Sequence, residues 1–404
     1  MTTLINAEKL RQQSKIKMAV LAILLIVFPF FAAQFGNSWV RIIDFALLYI
    51  MLALGLNIVV GFAGLLDLGY IAFYAVGAYV TAIFSSPQFA ALLESVIYEY
   101  PALHAWLLSV LGPEVAANGI HLSVWVIVPF AALLAGLFGA LLGAPTLKLR
   151  GDYLAIVTLG FGEIIRIFMN NLNGPINITN GPQGINLIDP IRIFGVNLAG
   201  EAGSNATVTI AGFSMPSVNA YYFLFLLICI AIVFVTIRLQ HSRLGRAWVA
   251  IREDEIAAKA MGINTRNVKL LAFAMGASFG GIAGAMFAAF QGFVSPESFS
   301  LTESIAVLAM VVLGGIGHVP GVIVGAIILA ALPEVLRHSV EPVQNAIFGK
   351  VIIEAEVLRQ LLYGLAMVVI MLTRQSGLWP APKIEDRIDP DVDKPARPTG
   401  VVAG

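Results

Sequence analysis

The amino-acid sequence predicts an all-α polytopic membrane protein. Hydrophobic residues make up 59% of its 404 residues and charged residues only 12%, and the mean hydropathy is +0.88. Apolar runs of nearly the length that a helix needs to cross a bilayer, about 20 residues, recur along the chain. The runs are continuous, whereas the strands of a membrane barrel alternate in polarity over about ten residues. Because helices satisfy their own backbone hydrogen bonds in lipid, we expect about ten transmembrane helices.

The predicted spans follow these runs in order. The first run lies after a basic stretch, as the apolar part of a signal peptide does. It is predicted to remain as an uncleaved first span, because Pro29 interrupts it and no small-residue cleavage site follows. The apolar stretch around Gly314–Gly321 is broken by glycines, so its two halves are two weak spans, one span or a re-entrant pair. The predicted spans are 18–35, 42–60, 65–84, 124–143, 153–170, 220–238, 268–290, 304–317, 319–336 and 356–373.

Basic residues determine the predicted orientation, because cytoplasmic loops carry an excess of Lys and Arg. A cytoplasmic N-terminus places the loop with Lys148 and Arg150 on the cytoplasmic side, together with the basic segment 239–267. The segment 171–219, whose only basic residue is Arg192, then lies outside.

The membrane domain is predicted to occupy residues 18–375, between two cytoplasmic tails. An even number of spans returns the C-terminus to the side of the N-terminal tail, residues 1–17. The C-terminal tail, residues 376–404, is rich in Pro, Asp and Lys and is predicted to be disordered.

A weak internal similarity links "LGYIAFYAVGAYVTA" (68–82) to "IGHVPGVIVGAIILA" (316–330). Many transporters are built from inverted repeats. The ten-span topology gives both segments the same orientation, which an inverted repeat forbids. Either the span count is wrong by one near residue 317, or the similarity arises by chance.

Charged residues are concentrated in "GRAWVAIREDEIAAKAMGINTRN", Gly245 to Asn267. The pattern predicts a short helical hairpin with Trp248, Ile251, Ala258 and Met261 near one face. Within it, Asp254 is expected to cap the second helix, Gly262 to end it, and Asn264 or Thr265 to cap the next span.

Three features of this segment favour a docking surface over a basic anchor that only fixes topology. Glu255 is expected to pair with Lys259 four residues later, and Ala257 and Ala258 form a small-residue patch beside these charges. Topology needs no acidic residues, whereas small residues beside paired charges suit the close approach of another protein.

The stretch "EIAAKAMG" (255–262) resembles the EAA-type coupling motif of ABC importer permeases, which docks into a groove on an ATPase subunit. The wider chain resembles the second permease subunit of branched-chain amino acid importers. The matching stretches are "GLLDLGYIAFYAVGAY", "LAIVTLGFGEIIRI", "NGPQGI", "LGRAWVAIREDEIAAKAMGINTRNVKLLAFAMGA" and "QGFVSPESFSLTESIAVLAMVVLGGIGHVPGVIVGA". The resemblance covers roughly residues 40–380, and His318 departs from the expected pattern.

The resemblance implies a ten-helix type II importer fold in a bacterial inner membrane. It implies four partner subunits beyond the bilayer: a homologous second permease, two ATP-binding subunits that hold ATP and Mg, and an extracytoplasmic substrate-binding protein. The expected cargo is leucine, isoleucine and valine, although some relatives carry urea, short amides or other amino acids. The expected ATPase-coupling residues are Gly245, Arg246, Arg252, Glu255, Ala257, Ala258, Lys259 and Gly262.

The residues of the chain give no sign of catalysis or of a bound cofactor. The sequence contains neither a phosphate-binding Gly-x-x-x-x-Gly-Lys-[Ser/Thr] loop nor a His-Glu-x-x-His zinc helix. Cys229 is the only cysteine, and the net charge of zero gives no reason to expect nucleic acid. We therefore expect a transport subunit that is not an enzyme and binds no metal. A secondary transporter or channel that works without ATP is the rival interpretation.

Two groups of residues are candidates for the translocation pathway. Glu163 and Arg166 lie three residues apart in a predicted span, where ionisable groups mark either a pathway or a self-neutralising pair. The turn formed by Asn180, Gly181, Pro182 and Gly184 follows that span on the outer side, where it either lines the mouth of the pathway or only connects elements. Glycines at four-residue spacing, Gly276, Gly280 and Gly284, are expected to serve close helix packing.

Overall fold

The computed structural model describes residues 20, 23–34, 36–147, 149, 151–193, 195–200, 207–210, 212–348, 354–373 and 377–379. The N-terminal tail, nearly all of the C-terminal tail, and Lys148 and Arg150 lie outside the described residues.

The described chain is mostly helical, as the sequence predicts. Its helices are α1 (Ile23–Ala33), α2 (Asn37–Asn57, continued by a π-helical turn Ile58–Phe62), α3 (Ile71–Phe84), α4 (Gln88–Glu99), α5 (Pro101–Leu111), α6 (Pro113–Asn118), α7 (Val124–Thr146), α8 (Asp152–Asn171), α9 (Ser217–Gln240), α10 (Arg243–Glu253), α11 (Glu255–Ala260), α12 (Thr265–Gln291), α13 (Leu301–Gly314), α14 (Val319–Phe348) and α15 (Ala355–Thr373).

Five helices of the described residues, α2, α7, α9, α12 and α14, are long and apolar enough to cross a membrane. The number rises to six if α3 and α4, which are bent by 77° relative to each other, form one broken span. The predicted spans 18–35, 304–317 and 356–373 correspond to the shorter helices α1, α13 and α15. Length and composition thus identify five or six spans, fewer than the ten predicted.

Close backbone contacts between α12 and its neighbours form the centre of the molecule. A Cβ atom on Gly77 of α3 would lie 2.2 Å from the carbonyl oxygen of Gly281, and one on Gly284 would lie 2.1 Å from that of Tyr74. A Cβ atom on Gly276 would lie 2.8 Å from the carbonyl oxygen of Gly55 in α2. The glycines of α12 therefore permit close packing, as their spacing predicts.

Contacts made by α2 identify the two ends of the helix bundle. At the loop end, which carries residues 172–216, Arg41 donates a 2.8 Å hydrogen bond to Gln291. At the hairpin end, which carries residues 243–260, Gly61 accepts a hydrogen bond from Arg252. Helix α2 thus runs from the loop end to the hairpin end, and α12 runs in the opposite direction.

Two segments without α-helix interrupt the bundle between its ends, and the second of them contains a 3₁₀ turn, Pro296–Phe299. The first break, residues 63–70, precedes α3, and the second break, residues 292–300, precedes α13. Each of these helices has only 14 residues, about 21 Å in length, so each begins inside the bundle. Ser304 in the first turn of α13 donates a 2.5 Å hydrogen bond to the carbonyl of Leu68, which joins the two breaks.

The prediction of a continuous helix over residues 65–84 is wrong for residues 65–70. The backbone of Gly64 has φ +69°, and the amide of Gly69 bonds to the side chain of Asp67 instead of a helical carbonyl. Asp67 is buried. Thr158 of α8 accepts a hydrogen bond from the amide of Leu68, so side chains replace the missing helical bonds.

The break at residues 315–318 separates α13 from α14 as two helices, with positive φ at Gly315 and Gly317. The amide of Gly317 donates to Oδ1 of Asn57, at the hairpin end of α2. Helix α14 therefore runs toward the loop end, in the same direction as α3. The similar segments 68–82 and 316–330 thus share one orientation, so they do not form an inverted repeat.

The loop end contains elements that the hydropathy pattern did not predict. Helices α4, α5 and α6 fill the interval before α7, and short antiparallel ribbons interrupt the otherwise helical fold. The strands are β1 (Ile185–Asn186), β2 (Arg192–Ile193), β3 (Val196–Asn197), β4 (Thr207–Ile210), β5 (Phe213–Pro216) and β6 (Phe293–Val294), paired β1–β6, β2–β3 and β4–β5. The β1–β6 ribbon joins the long loop to the second break.

Candidate functional site

The charged hairpin consists of α10 and α11, and side-chain caps determine where its helices begin. Ser242 accepts a hydrogen bond from the amide of Gly245 and begins α10. Asp254 separates the two helices and accepts from the amides of Ile256 and Ala257. Gly262, with φ +85°, follows the end of α11, and Asn264 caps α12. The predicted caps and stop are therefore confirmed, with Asn264 as the cap of the next span.

One face of the charged hairpin is buried against the bundle. Trp248 is fully buried and its Nε1 donates a 2.7 Å hydrogen bond to the carbonyl of Val268 in α12. Ile251 and Ala258 are buried on the same side. Met261 was predicted to share this face, but it is 84% exposed because α11 ends there and the chain turns away.

The ion pair of Glu255 differs from the one that helical spacing predicts. Its Oε2 lies 2.7 Å from Nζ of Lys269 in α12, whereas the sequence suggested Lys259 as the partner. Lys269 is buried, so the contact fixes the short helix against the bundle. A buried lysine requires a paired charge, and Glu255 supplies it.

Arg252 reaches from the hairpin to the bundle, and its partly exposed guanidinium also lies 3.3 Å from Glu253. Its Nη1 donates a 2.6 Å hydrogen bond to the carbonyl of Gly61, in the π-helical turn of α2. Its aliphatic stem covers Gly64, where an added Cβ would lie 2.5 Å from Cγ of Arg252. This residue therefore links the charged hairpin to the start of the first break.

The remaining predicted coupling residues divide between the interior and the surface. Gly245 is buried, and a Cβ atom there would lie 2.3 Å from the carbonyl of Leu239. The exposed face of the hairpin carries Arg246, Ile256, Ala257, Lys259, Met261 and Gly262. Of the small-residue pair, only Ala257 is exposed, because Ala258 packs inward. The role of these residues in coupling stays a prediction.

Glu163 and Arg166 pair within one helix turn of α8. Nε of Arg166 lies 3.0 Å from Oε1 and 3.1 Å from Oε2 of Glu163. The two side chains are 39% and 27% exposed, so the pair lies on a partly uncovered face of α8. Beside it, Arg166 contacts a small crevice that Pro296 and Phe299 of the second break also line. The pair is thus next to the second break, and its role in translocation stays a prediction.

The turn at residues 180–184 packs against the second break at the loop end. Asn180 and Gly181 both have left-handed backbone conformations, and Gly181 to Gln183 form one 3₁₀ turn. Asn180 donates a 2.8 Å hydrogen bond to the carbonyl of Gly184. A Cβ atom on Gly184 would lie 2.5 Å from the carbonyl of Val294, so only glycine fits.

A polar group that the sequence analysis did not single out lies where the breaks meet. The hydroxyl of Tyr49 donates a 2.8 Å hydrogen bond to Oε2 of Glu303, and Nη2 of Arg359 lies 3.6 Å from Oε1. Glu303 is in the first turn of α13. In the sequence it directly precedes the predicted span 304–317, so it resembled a residue at a membrane surface.

No group of three or more potential metal ligands occurs among the described residues.

Comparisons with known proteins identify the family. The family described as "Branched-chain amino acid transport system / permease component" matches residues 38–371. The chain is 39% identical over 374 residues to the high-affinity branched-chain amino acid transport system permease protein LivM of Escherichia coli K12, covering 91% of this chain and 75% of LivM. It is 26% identical to the probable branched-chain amino acid transport permease protein LivM of Methanocaldococcus jannaschii, over 82% of this chain and 90% of that protein.

A second type of permease also matches. The chain is 27% identical to the high-affinity branched-chain amino acid transport system permease protein LivH of Salmonella typhimurium, over 70% of this chain and 79% of LivH. No solved structure matches the chain. Its apolar helices and its permease relatives make it a multi-pass membrane protein. Because the family match extends from residue 38 to residue 371, the chain belongs to the permease-component family of branched-chain amino acid transport systems.

Proposed function

We propose that this chain is the membrane-spanning permease subunit of an ATP-driven importer of branched-chain amino acids. The observation that carries the proposal is the family match over nearly the whole membrane domain, together with relatives named for high-affinity branched-chain amino acid transport. The chain supplies the membrane path, and ATP hydrolysis takes place on separate subunits that hold ATP and Mg. No cofactor is assigned to this chain.

The charged hairpin is the proposed contact with an ATP-binding subunit. Its outer face combines exposed apolar residues, Ile256 and Met261, with the exposed charges of Arg246 and Lys259. Exposed apolar side chains rimmed by charge are typical of surfaces that bind another protein. Arg252 connects this surface to α2, which provides a route by which ATPase movement reaches the bundle.

The proposed assembly contains four further subunits: a homologous second permease, two ATP-binding subunits and an extracytoplasmic substrate-binding protein. The similarity to both LivM and LivH supports the pairing of two related permeases. We place the hairpin end in the cytoplasm of a bacterial cell and the loop end outside its inner membrane, with both termini cytoplasmic. The basic residues of segment 239–267 support this orientation.

The proposed fold is that of a ten-helix type II importer permease. Ten spans result if α1, α8, α13 and α15 are added to the five long helices and to the bent α3–α4 pair. Short helices and non-helical backbone occur at membrane depth where protein surrounds them, as at the two breaks.

Reconstitution tests this function. The chain is co-expressed with a second permease and an ATPase subunit, and uptake of leucine into proteoliposomes is measured with the binding protein present. Leucine uptake that requires ATP and exceeds urea uptake is the expected result. Uptake of urea in place of leucine would indicate an importer of the same architecture that transports another substrate. Uptake by the chain alone, without ATP and at the rate of the complex, would contradict the importer function.

A further inference from the structure

A cavity of about 210 Å³ lies between the two breaks, inside a single subunit. Its walls come from α2, from the first turn of α3, from α12 and from the second break with the first turn of α13. Packed protein interiors contain few voids larger than a water molecule, which needs about 10–15 Å³ of such space. This cavity is partly open to its surroundings and is large enough to hold a small ligand.

The wall of the cavity contains one carboxylate among aromatic rings. Glu303 lines it, with its Oε2 bound by the hydroxyl of Tyr49. Phe45, Tyr74 and Phe287 line it as well, with ring centroids 6.4 Å apart for Phe45 and Phe287 and 5.3 Å apart for Tyr74 and Phe287. Aromatic faces attract cations, and a carboxylate accepts about four hydrogen bonds, more than Tyr49 supplies.

The surrounding charges allow the carboxylate to remain at this depth. Arg359 lies 3.6 Å from Glu303 and supplies a counter-charge, and both side chains are largely buried, at 16% and 21% exposure. Glu303 also lies in the first turn of α13, where the helix dipole favours a negative charge. An ion pair whose only role was to neutralise itself would need no cavity beside it.

We propose that this cavity binds the α-ammonium group and the apolar side chain of an amino acid during its passage through the subunit. Glu303 accepts hydrogen bonds from the ammonium, whose charge also faces the aromatic rings. Leu52 of α2 and Ile71 of α3 contact the branched side chain. The inference rests on the proposed function, since it names a substrate subsite for it.

Analogues of leucine distinguish an amino-acid site from a cavity that holds only water. The permease complex is purified without its binding protein, and its thermal unfolding is measured with leucine, isoamylamine or 4-methylpentanoate. A ligand that binds the folded state raises the unfolding temperature as its concentration rises. Leucine and isoamylamine, which carry the ammonium, are expected to stabilise the complex, and 4-methylpentanoate, which lacks it, is not. Equal effects of leucine and 4-methylpentanoate, or none from leucine, would overturn the proposal.

Two variants of the cavity wall test the site in different ways. Glu303→Gln removes the charge and is expected to weaken leucine binding by about 10- to 100-fold, the range for losing a charge-assisted hydrogen bond. Leu52→Phe adds a ring to the cavity without removing any polar group, and it is expected to lower binding although Arg359 keeps its partner. Glu334→Gln alters another paired glutamate, which bonds to Arg337 and His338 and does not line the cavity, and serves as the matched control.

The failure of this site and the failure of the proposed function give different results. If wild-type complexes import leucine and both cavity variants fold, bind leucine and import it normally, the site is wrong and the importer function stands. If the wild-type complex imports no leucine but isoamylamine still stabilises it and Leu52→Phe abolishes that effect, the ammonium site stands and the cargo is wrong.

Discussion

Replacing Arg252 by alanine should disconnect the charged hairpin from the bundle. The substitution removes the 2.6 Å hydrogen bond to the carbonyl of Gly61 and the contact of the arginine stem with Gly64. A hydrogen bond from a charged donor contributes about 1.5–3 kcal/mol, and the lower end applies here because the side chain is 37% exposed. With the lost packing of the stem, we expect a destabilisation of about 2 kcal/mol.

Two quantities are measured: the unfolding temperature of the purified complex and its substrate-stimulated ATP hydrolysis. The unfolding temperature of the purified complex should decrease by about 2–4 °C, since the unfolding temperature of a protein of this size changes little per kcal/mol of lost stability. Substrate-stimulated ATP hydrolysis should fall much further than ATPase binding, because the exposed residues Ile256, Lys259 and Met261 of the hairpin are unchanged. Arg266→Gln, an exposed basic residue at the start of α12, is the control and should change neither quantity. Wild-type stimulation of hydrolysis in Arg252→Ala would refute the proposed route through α2.

Three further predictions concern other charged contacts. Glu163→Gln and Arg166→Gln should each reduce expression and uptake more than the double variant does, because a charge left unpaired costs more than the absence of the pair; plainly additive losses in the double variant would contradict this. The hydrogen bond from His121 to Asp189 raises the pKa of His121 above its ordinary value, so its contribution to stability is complete below about pH 6 and is lost as the pH rises through the raised pKa. The difference in unfolding temperature between the wild type and His121→Ala should therefore shrink with rising pH, and a difference that grew would refute the pairing. Glu255→Lys should place two lysines together, weaken ATPase pull-down and stimulated hydrolysis at equal membrane levels, and leave insertion intact; normal coupling would return the segment to a topology anchor.

Hydropathy predicted where most long helices lie, because each contains a continuous apolar run, but α14 continues to Phe348, beyond the predicted end at residue 336. Helices α7 and α8 begin and end within a few residues of the predicted spans. Hydropathy did not reveal the first break, because residues 65–70 contain three leucines and only one charged residue, Asp67, and so continue the apolar run that follows. Only the contacts of Asp67 and Leu68 with other groups show that the backbone leaves the helix there.

Local spacing predicted the caps of the charged hairpin but not its ion pair. A cap such as Asp254 depends on residues two and three positions away, so the sequence contains the whole interaction. The partner of Glu255 is instead chosen by how α11 lies against α12, which brings Lys269 closer than spacing along one helix suggests. For the same reason, the contact between Tyr49 and Glu303, separated by 254 positions, has no local signal.

The two breaks also constrain how the protein is made. Helix α13 has 14 residues and follows a segment without α-helix, so it is too short to enter lipid alone as a satisfied span. Its first turn needs the carbonyl of Leu68, and the hydroxyl of Tyr49 in α2 needs Glu303. Since α2 and α3 leave the ribosome long before α13, we expect them to serve as the template against which α13 assembles. Permutation of the gene that placed α13 first should therefore impair biogenesis even though every contact of the finished fold is retained.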